Sequence, residues 1–173
     1  MSPDPTVPLT TTPTVVERSN AATEGVIAGV IGAGTVAVWV LILDTLAGRP
    51  FYTPSLLGTA LFRRGVTLET AATAPVSLEM VGMFTWVHTL VFIALGGAAS
   101  YLLTWIEAKP SLGFGLILLF VVFQAGFTVV VAALAPPLLA AVGWIPIVTA
   151  NLLAAAAMAV YLGWRHRTLS IAP

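Results

Sequence analysis

Residues 79–105 read EMVGMFTWVHTLVFIALGGAASYLLTW. One carboxylate opens the stretch, and a single histidine, His88, stands deep inside it, in the context Phe84-Thr85-Trp86-Val87-His88-Thr89. The remaining residues are apolar, small or hydroxyl-bearing. A helix of roughly 20 such residues covers the hydrocarbon of a bilayer. A helix is also the form in which one isolated segment satisfies all of its own backbone groups in lipid. The stretch therefore predicts a membrane-spanning helix, and the rest of the chain is read against it.

The composition agrees. Of 173 residues, 58% are hydrophobic and 8% charged, where soluble domains carry roughly 25% charged residues. So few charges cannot cover a soluble surface of this size, and the solvent for most side chains is expected to be lipid. The formal net charge is zero, which leaves no basic footprint for nucleic acid. The absence of cysteine excludes disulfides, thiolate-held zinc, iron–sulfur clusters and thiol catalysis.

Three further apolar runs give an all-α fold, a four-transmembrane-helix bundle with spans at about 24–46, 79–105, 112–135 and 138–164. Residues 1–22 are rich in proline and threonine and are expected to form a disordered tail. No basic segment precedes a short apolar core there, so the tail does not read as a signal peptide. Residues 23–167 then form one transmembrane domain, and residues 168–173 a short tail.

Within the first span, Gly25, Gly29, Ala33 and Ala37 recur every four residues and share one helix face. Small side chains in that register let another helix approach closely. The glycines of 29–34 do not have the order of a dinucleotide loop, and no strand precedes them. Gly48-Arg49-Pro50 is expected to stop this helix. Thr53 is the expected N-cap of a short helix, with Pro54 in first position and Gly65 just past its end. About ten residues are too few to span, and Phe51, Tyr52 and Phe62 beside Arg63 and Arg64 read as an interfacial or re-entrant helix. Asp44, Arg49, Arg63 and Arg64 are then interfacial charges. Residues 66–77 read as irregular loop.

Short links, Glu107 to Ser111 and Pro136-Pro137, make spans two, three and four antiparallel neighbours. Four spans put both termini on one side. Arg18, Lys109, Arg165 and Arg167 fall on that side against Arg49, Arg63 and Arg64 on the other, which by the positive-inside rule makes it cytoplasmic. Tyr101, Trp105, Tyr161 and Trp164 mark one membrane surface, and Tyr52, Trp86 and Trp144 the other.

Several stretches together resemble a group of small bacterial four-span membrane proteins with no established activity. They are residues 43–58 (LDTLAGRPFYTPSLLG), Trp86-Val87-His88, and residues 151–158 (NLLAAAAM). The resemblance covers most of residues 25–167. It implies the architecture and a bacterial inner membrane, and carries no mechanism and no site residues.

Polar side chains inside spans are costly and face the bundle interior or water. Counting depth at ~1.5 Å per residue brings His88, Gln124 and Asn151 toward one layer, with Thr128 and Thr149 near it. Its first reading is a hydrogen-bonded clasp that fixes helix packing. Its second is a polar pocket in which His88 carries a proton or holds a ligand, with Asp44 or Glu79 as electrostatic partner. A haem would need a second axial ligand at matching depth. His166 lies beyond the end of its span, and Met80, Met83 and Met158 are ordinary gap-fillers, so no cofactor is expected. No Gly-x-Ser-x-Gly or His-Glu-x-x-His motif is present, and no metal site is expected. Two functions remain. One is a non-enzymatic structural or accessory subunit docking against a larger membrane complex, such as an electron-transport one, with the bilayer and other membrane subunits as partners. The other is a small membrane binder or carrier with a pocket around His88.

Overall fold

The computed structural model describes residues 15–63, 67, 70, 73–108, 121, 125, 129 and 143–165. Four helices stand out among the described residues: α1 (Val15–Leu46), α2 (Tyr52–Phe62), α3 (Leu78–Ala108) and α4 (Trp144–Arg165). No strand occurs among the described residues. Asn20–Leu46 of α1, Leu78–Trp105 of α3 and Trp144–Arg165 of α4 are each long and apolar enough to cross a membrane. This supports a membrane protein. Much of the outer surface is apolar: Val26, Val30, Val38 and Ile42 of α1, Trp86 and Leu90 of α3, and Leu152 and Val160 of α4 are all exposed.

α1 begins at Val15, so its first turns occupy residues that composition assigns to the tail. The last proline before it is Pro13, and nothing in Val15–Ala22 breaks a helical hydrogen-bond ladder. Most of the third expected span lies outside the described residues. Within it, Val121, Ala125 and Val129 are helical and exposed.

α1 is the helix on which the others are hung, since it packs against both α3 and α4. Gly25 and Gly29 of α1 meet Gly96 and Gly97 of α3 backbone to backbone. A Cβ built on Gly25 would lie 2.5 Å from the Cα of Gly97, and one built on Gly29 would lie 2.5 Å from the Cα of Ile93. Only hydrogen fits at such a crossing, which is the small-residue logic of helix contact in lipid. Ala33 is buried along the same face, whereas Ala37 is exposed. Gly25 pairs with Gly97 and Gly29 with Phe92 and Ile93, so α3 runs antiparallel to α1.

α4 is also antiparallel to α1. Glu24 pairs with Arg165, Gly32 faces the Met158 sulfur, and the Trp39 indole Nε1 donates to the carbonyl of Pro146 at 3.2 Å. Ala28, Leu103 and Leu162 close a small core where the three helices meet, with Ala99, Met158 and Tyr161 around it.

Candidate functional site

Two polar places merit description: a knot at the C-terminal end of α1 and His88 on α3. The knot begins with the way α1 stops. Gly48 is left-handed, with φ 72°. The Arg49 N–H donates to the Asp44 carbonyl at 2.8 Å, and the Gly48 N–H to that of Thr45 at 2.9 Å. These bonds satisfy carbonyls that a helix end would otherwise leave bare.

The chain then turns sharply at Phe51, which also adopts the left-handed region, with φ 65°. A bulky side chain is disfavoured there, so the surrounding contacts must hold the turn. The Phe51 carbonyl accepts the Ser55 N–H at 3.2 Å, opening α2. Phe51 is the N-cap, and its side chain supplies no capping bond. Asp44 supplies the missing acceptor from nine residues upstream. Its carboxylate takes the Thr53 N–H at 2.7 Å and the Thr53 hydroxyl at 2.6 Å. A negative charge at a helix N-terminus meets bare N–H groups and the positive end of the helix dipole. Thr53 is thus the residue that is capped, one place inside the helix, and Pro54 sits in the first turn, where no N–H is missed.

Asp44 is 6% exposed and forms no bridge to an arginine among the described residues. Arg49 instead lies over the Tyr52 ring, 4.0 Å from its centroid, a cation–π placement. Arg63 is exposed and ends α2, its N–H donating to the Thr59 carbonyl at 2.7 Å. Arg64 and Gly65 lie outside the described residues.

The knot continues into α3. Ser55, buried on α2, accepts the Ser77 N–H at 2.8 Å. The Ser77 hydroxyl in turn accepts the Met80 N–H at 3.4 Å and caps α3. Gly58 lies against the Met80 carbonyl, where a Cβ would collide. Leu56, 1% exposed, and Tyr52 are packed beside Leu57 and Ala60. Asp44, Thr53, Ser55 and Ser77 therefore tie the end of α1, the start of α2 and the start of α3 into one joint. Ser55→Ala would strand the Ser77 N–H at a partly buried position. It is expected to cost about 1–3 kcal/mol, read as a fall in the unfolding midpoint in detergent.

His88 lies between two rings of its own helix: Phe84 at 5.5 Å, stacked, and Phe92 at 4.7 Å, tilted. The imidazole approaches the backbone of Ala33 on α1. Its Nε2 is buried and has no hydrogen-bond partner among the described residues. Further along α3, the Ser100 hydroxyl is fully buried and also has no partner among the described residues.

Of the other members of the expected polar layer, Asn151 and Thr149 are half-buried on α4. His88 Nε2 does not bond to either. Gln124 and Thr128 lie outside the described residues. No group of three or more His, Asp or Glu side chains that could hold a metal ion occurs among the described residues. Sequence reasoning missed the Gly96-Gly97 pair, the Glu24–Arg165 pair, buried Ser100 and the bonds between Asp44 and Thr53. The adjacent glycines in mid-span were a visible signal; the others had none.

No family model, curated protein or solved structure matches the chain.

Proposed function

We propose that the chain is a non-catalytic, four-span membrane protein acting as a structural or accessory subunit of a larger membrane complex. The observation that carries this reading is the use made of the polar side chains. Asp44, Thr53, Ser55 and Ser77 are engaged in a joint between helices, and Glu24 and Arg165 tie α1 to α4. The glycine face of α1 is occupied within the chain by α3, so a partner would meet other apolar surface.

The count of four spans is supported by direction. α3 ends at Ala108 near the start of α1, while α4 starts at Trp144 near its far half. The chain between must travel from one end of the bundle to the other, which a helix of about 20 residues does. With four spans, both termini share a side, and the charge bias makes that side cytoplasmic in a bacterial inner membrane. α2, with its exposed Phe51, Leu61 and Phe62, then lies at the opposite interface.

The test is purification of tagged protein in mild detergent, with the mass and identity of everything that co-elutes. A stoichiometric membrane partner is expected, and a lone monomer would overturn the accessory role.

One observation favours the second reading, a binder built around His88: the buried Nε2 with no partner among the described residues. His88→Phe separates the two readings. A phenyl ring fits between Phe84 and Phe92 and removes a nitrogen that no described residue satisfies, so stability should change by less than about 1 kcal/mol. A loss several times larger, with the protein still inserted, would show that Nε2 has a partner in the membrane.

A further inference from the structure

At the end of the bundle opposite the Asp44 joint lies a half-open cleft of about 510 Å³ between α1 and α4. Asn20, Thr23, Glu24 and Ile27 form one wall, and Tyr161, Trp164 and Arg165 the other. Asn20 opens the apolar span of α1 and Arg165 closes that of α4. The cleft therefore sits where hydrocarbon gives way to lipid headgroups, the depth at which tyrosine and tryptophan gather.

The cleft holds two opposite charges in contact. Arg165 Nη2 lies 3.0 Å from Glu24 Oε1, and Nε donates to the same oxygen at 3.1 Å. Glu24 is only 12% exposed and Arg165 is 55% exposed. A guanidinium carries five N–H groups in a planar fork, and this pair uses two of them. The others suit a phosphate oxygen. The carboxylate, set deeper, repels a purely anionic headgroup and attracts an ammonium, which the indole and phenol rings beside it also favour.

We propose that this cleft binds the zwitterionic phosphoethanolamine headgroup of a membrane phospholipid, Arg165 holding the phosphodiester and Glu24 the ammonium. The inference rests on the reading of α1 and α4 as membrane spans and is independent of the accessory role.

The test uses full-length protein in detergent micelles, titrated with phosphatidylethanolamine, with phosphatidylglycerol, and with free phosphoethanolamine, bound species being counted by native mass spectrometry. Phosphatidylethanolamine is expected to bind about tenfold more tightly than phosphatidylglycerol, and Arg165→Gln to weaken it about tenfold. Glu24→Gln should leave phosphate binding in place and erase the preference between the two lipids. Equal binding of both lipids to the wild type, or unchanged phosphatidylethanolamine binding in Arg165→Gln, would overturn the proposal. Full competition by free phosphoethanolamine would overturn the lipid as its source. Alkaline extraction of native membranes separates the two levels of failure. Protein that stays in the membrane pellet yet ignores headgroups refutes the site alone, whereas protein released from the pellet refutes the spans.

Discussion

Gly29→Val is expected to disrupt the packing of α1 on α3. A Cβ at position 29 would collide with the carbonyl of Phe92 and come within 2.5 Å of the Ile93 Cα. Neither atom belongs to a side chain that could swing aside, so one helix must move away from the other. The facing residue is as constrained. A Cβ at Gly96 would meet the Gly25 carbonyl and approach the Gly29 nitrogen at 2.5 Å. Overpacking that flexible side chains absorb costs about 1–3 kcal/mol; here, with backbone on both sides, the loss should be about 3 kcal/mol or more. Gly34→Val is the matched control, since no described residue lies within 4 Å of its added Cβ. It should be tolerated within about 0.5 kcal/mol. Denaturant titration in mixed micelles, followed by circular dichroism, reads both. Equal midpoints for the two variants would refute the glycine crossing.

Asp44→Ala should have the second large effect. It removes the acceptor of two hydrogen bonds from Thr53, one backbone and one side chain, at a position that is 6% exposed. Each stranded buried donor costs about 1–3 kcal/mol. The Thr53 hydroxyl can rotate to another acceptor, but the N–H cannot, so a net loss of about 3 kcal/mol is expected. The left-handed Phe51 turn depends on the same anchor, and α2 should become the first part of the chain to open. Hydrogen exchange would show this as lost protection in Tyr52–Phe62 ahead of α1 and α3. Asp44→Asn keeps one acceptor oxygen for the Thr53 N–H and should cost about half as much. Protection of α2 unchanged in Asp44→Ala would contradict the role given to the carboxylate.

The long helices were legible because lipid imposes a simple rule: a run of apolar residues long enough to cross must be helical. The end of α1 was legible too, since Gly48 and Pro50 mark it on opposite grounds, a tolerated left-handed turn and a missing donor. The four-residue spacing put Gly25, Gly29 and Ala33 on one face, but periodicity names no partner, and Gly96-Gly97 emerged only in three dimensions. Asp44 illustrates the same limit. Its position near a helix end suggested an interfacial charge. Its actual partner is the Thr53 backbone, which the Schellman-type turn at Gly48 and the left-handed Phe51 bring back to it. Glu24 carries no local sign of its partner, since Arg165 is distant in sequence. His88 is where the reading is most altered. Depth counting grouped it with Gln124 and Asn151, while the described contacts are with Phe84, Phe92 and the Ala33 backbone.

In the arrangement we propose, α1, α3 and α4 cross a bilayer, and the chain between α3 and α4 crosses once more. The chain has no cysteine, so single introduced thiols report without background. Ala47→Cys, Ala108→Cys and Trp144→Cys, each expressed in intact membranes, are challenged with a membrane-impermeant maleimide from one face and then from the other. Positions 47 and 144 are expected to label from the same face and position 108 only from the opposite one. Labelling of 108 and 144 from one common face would contradict it.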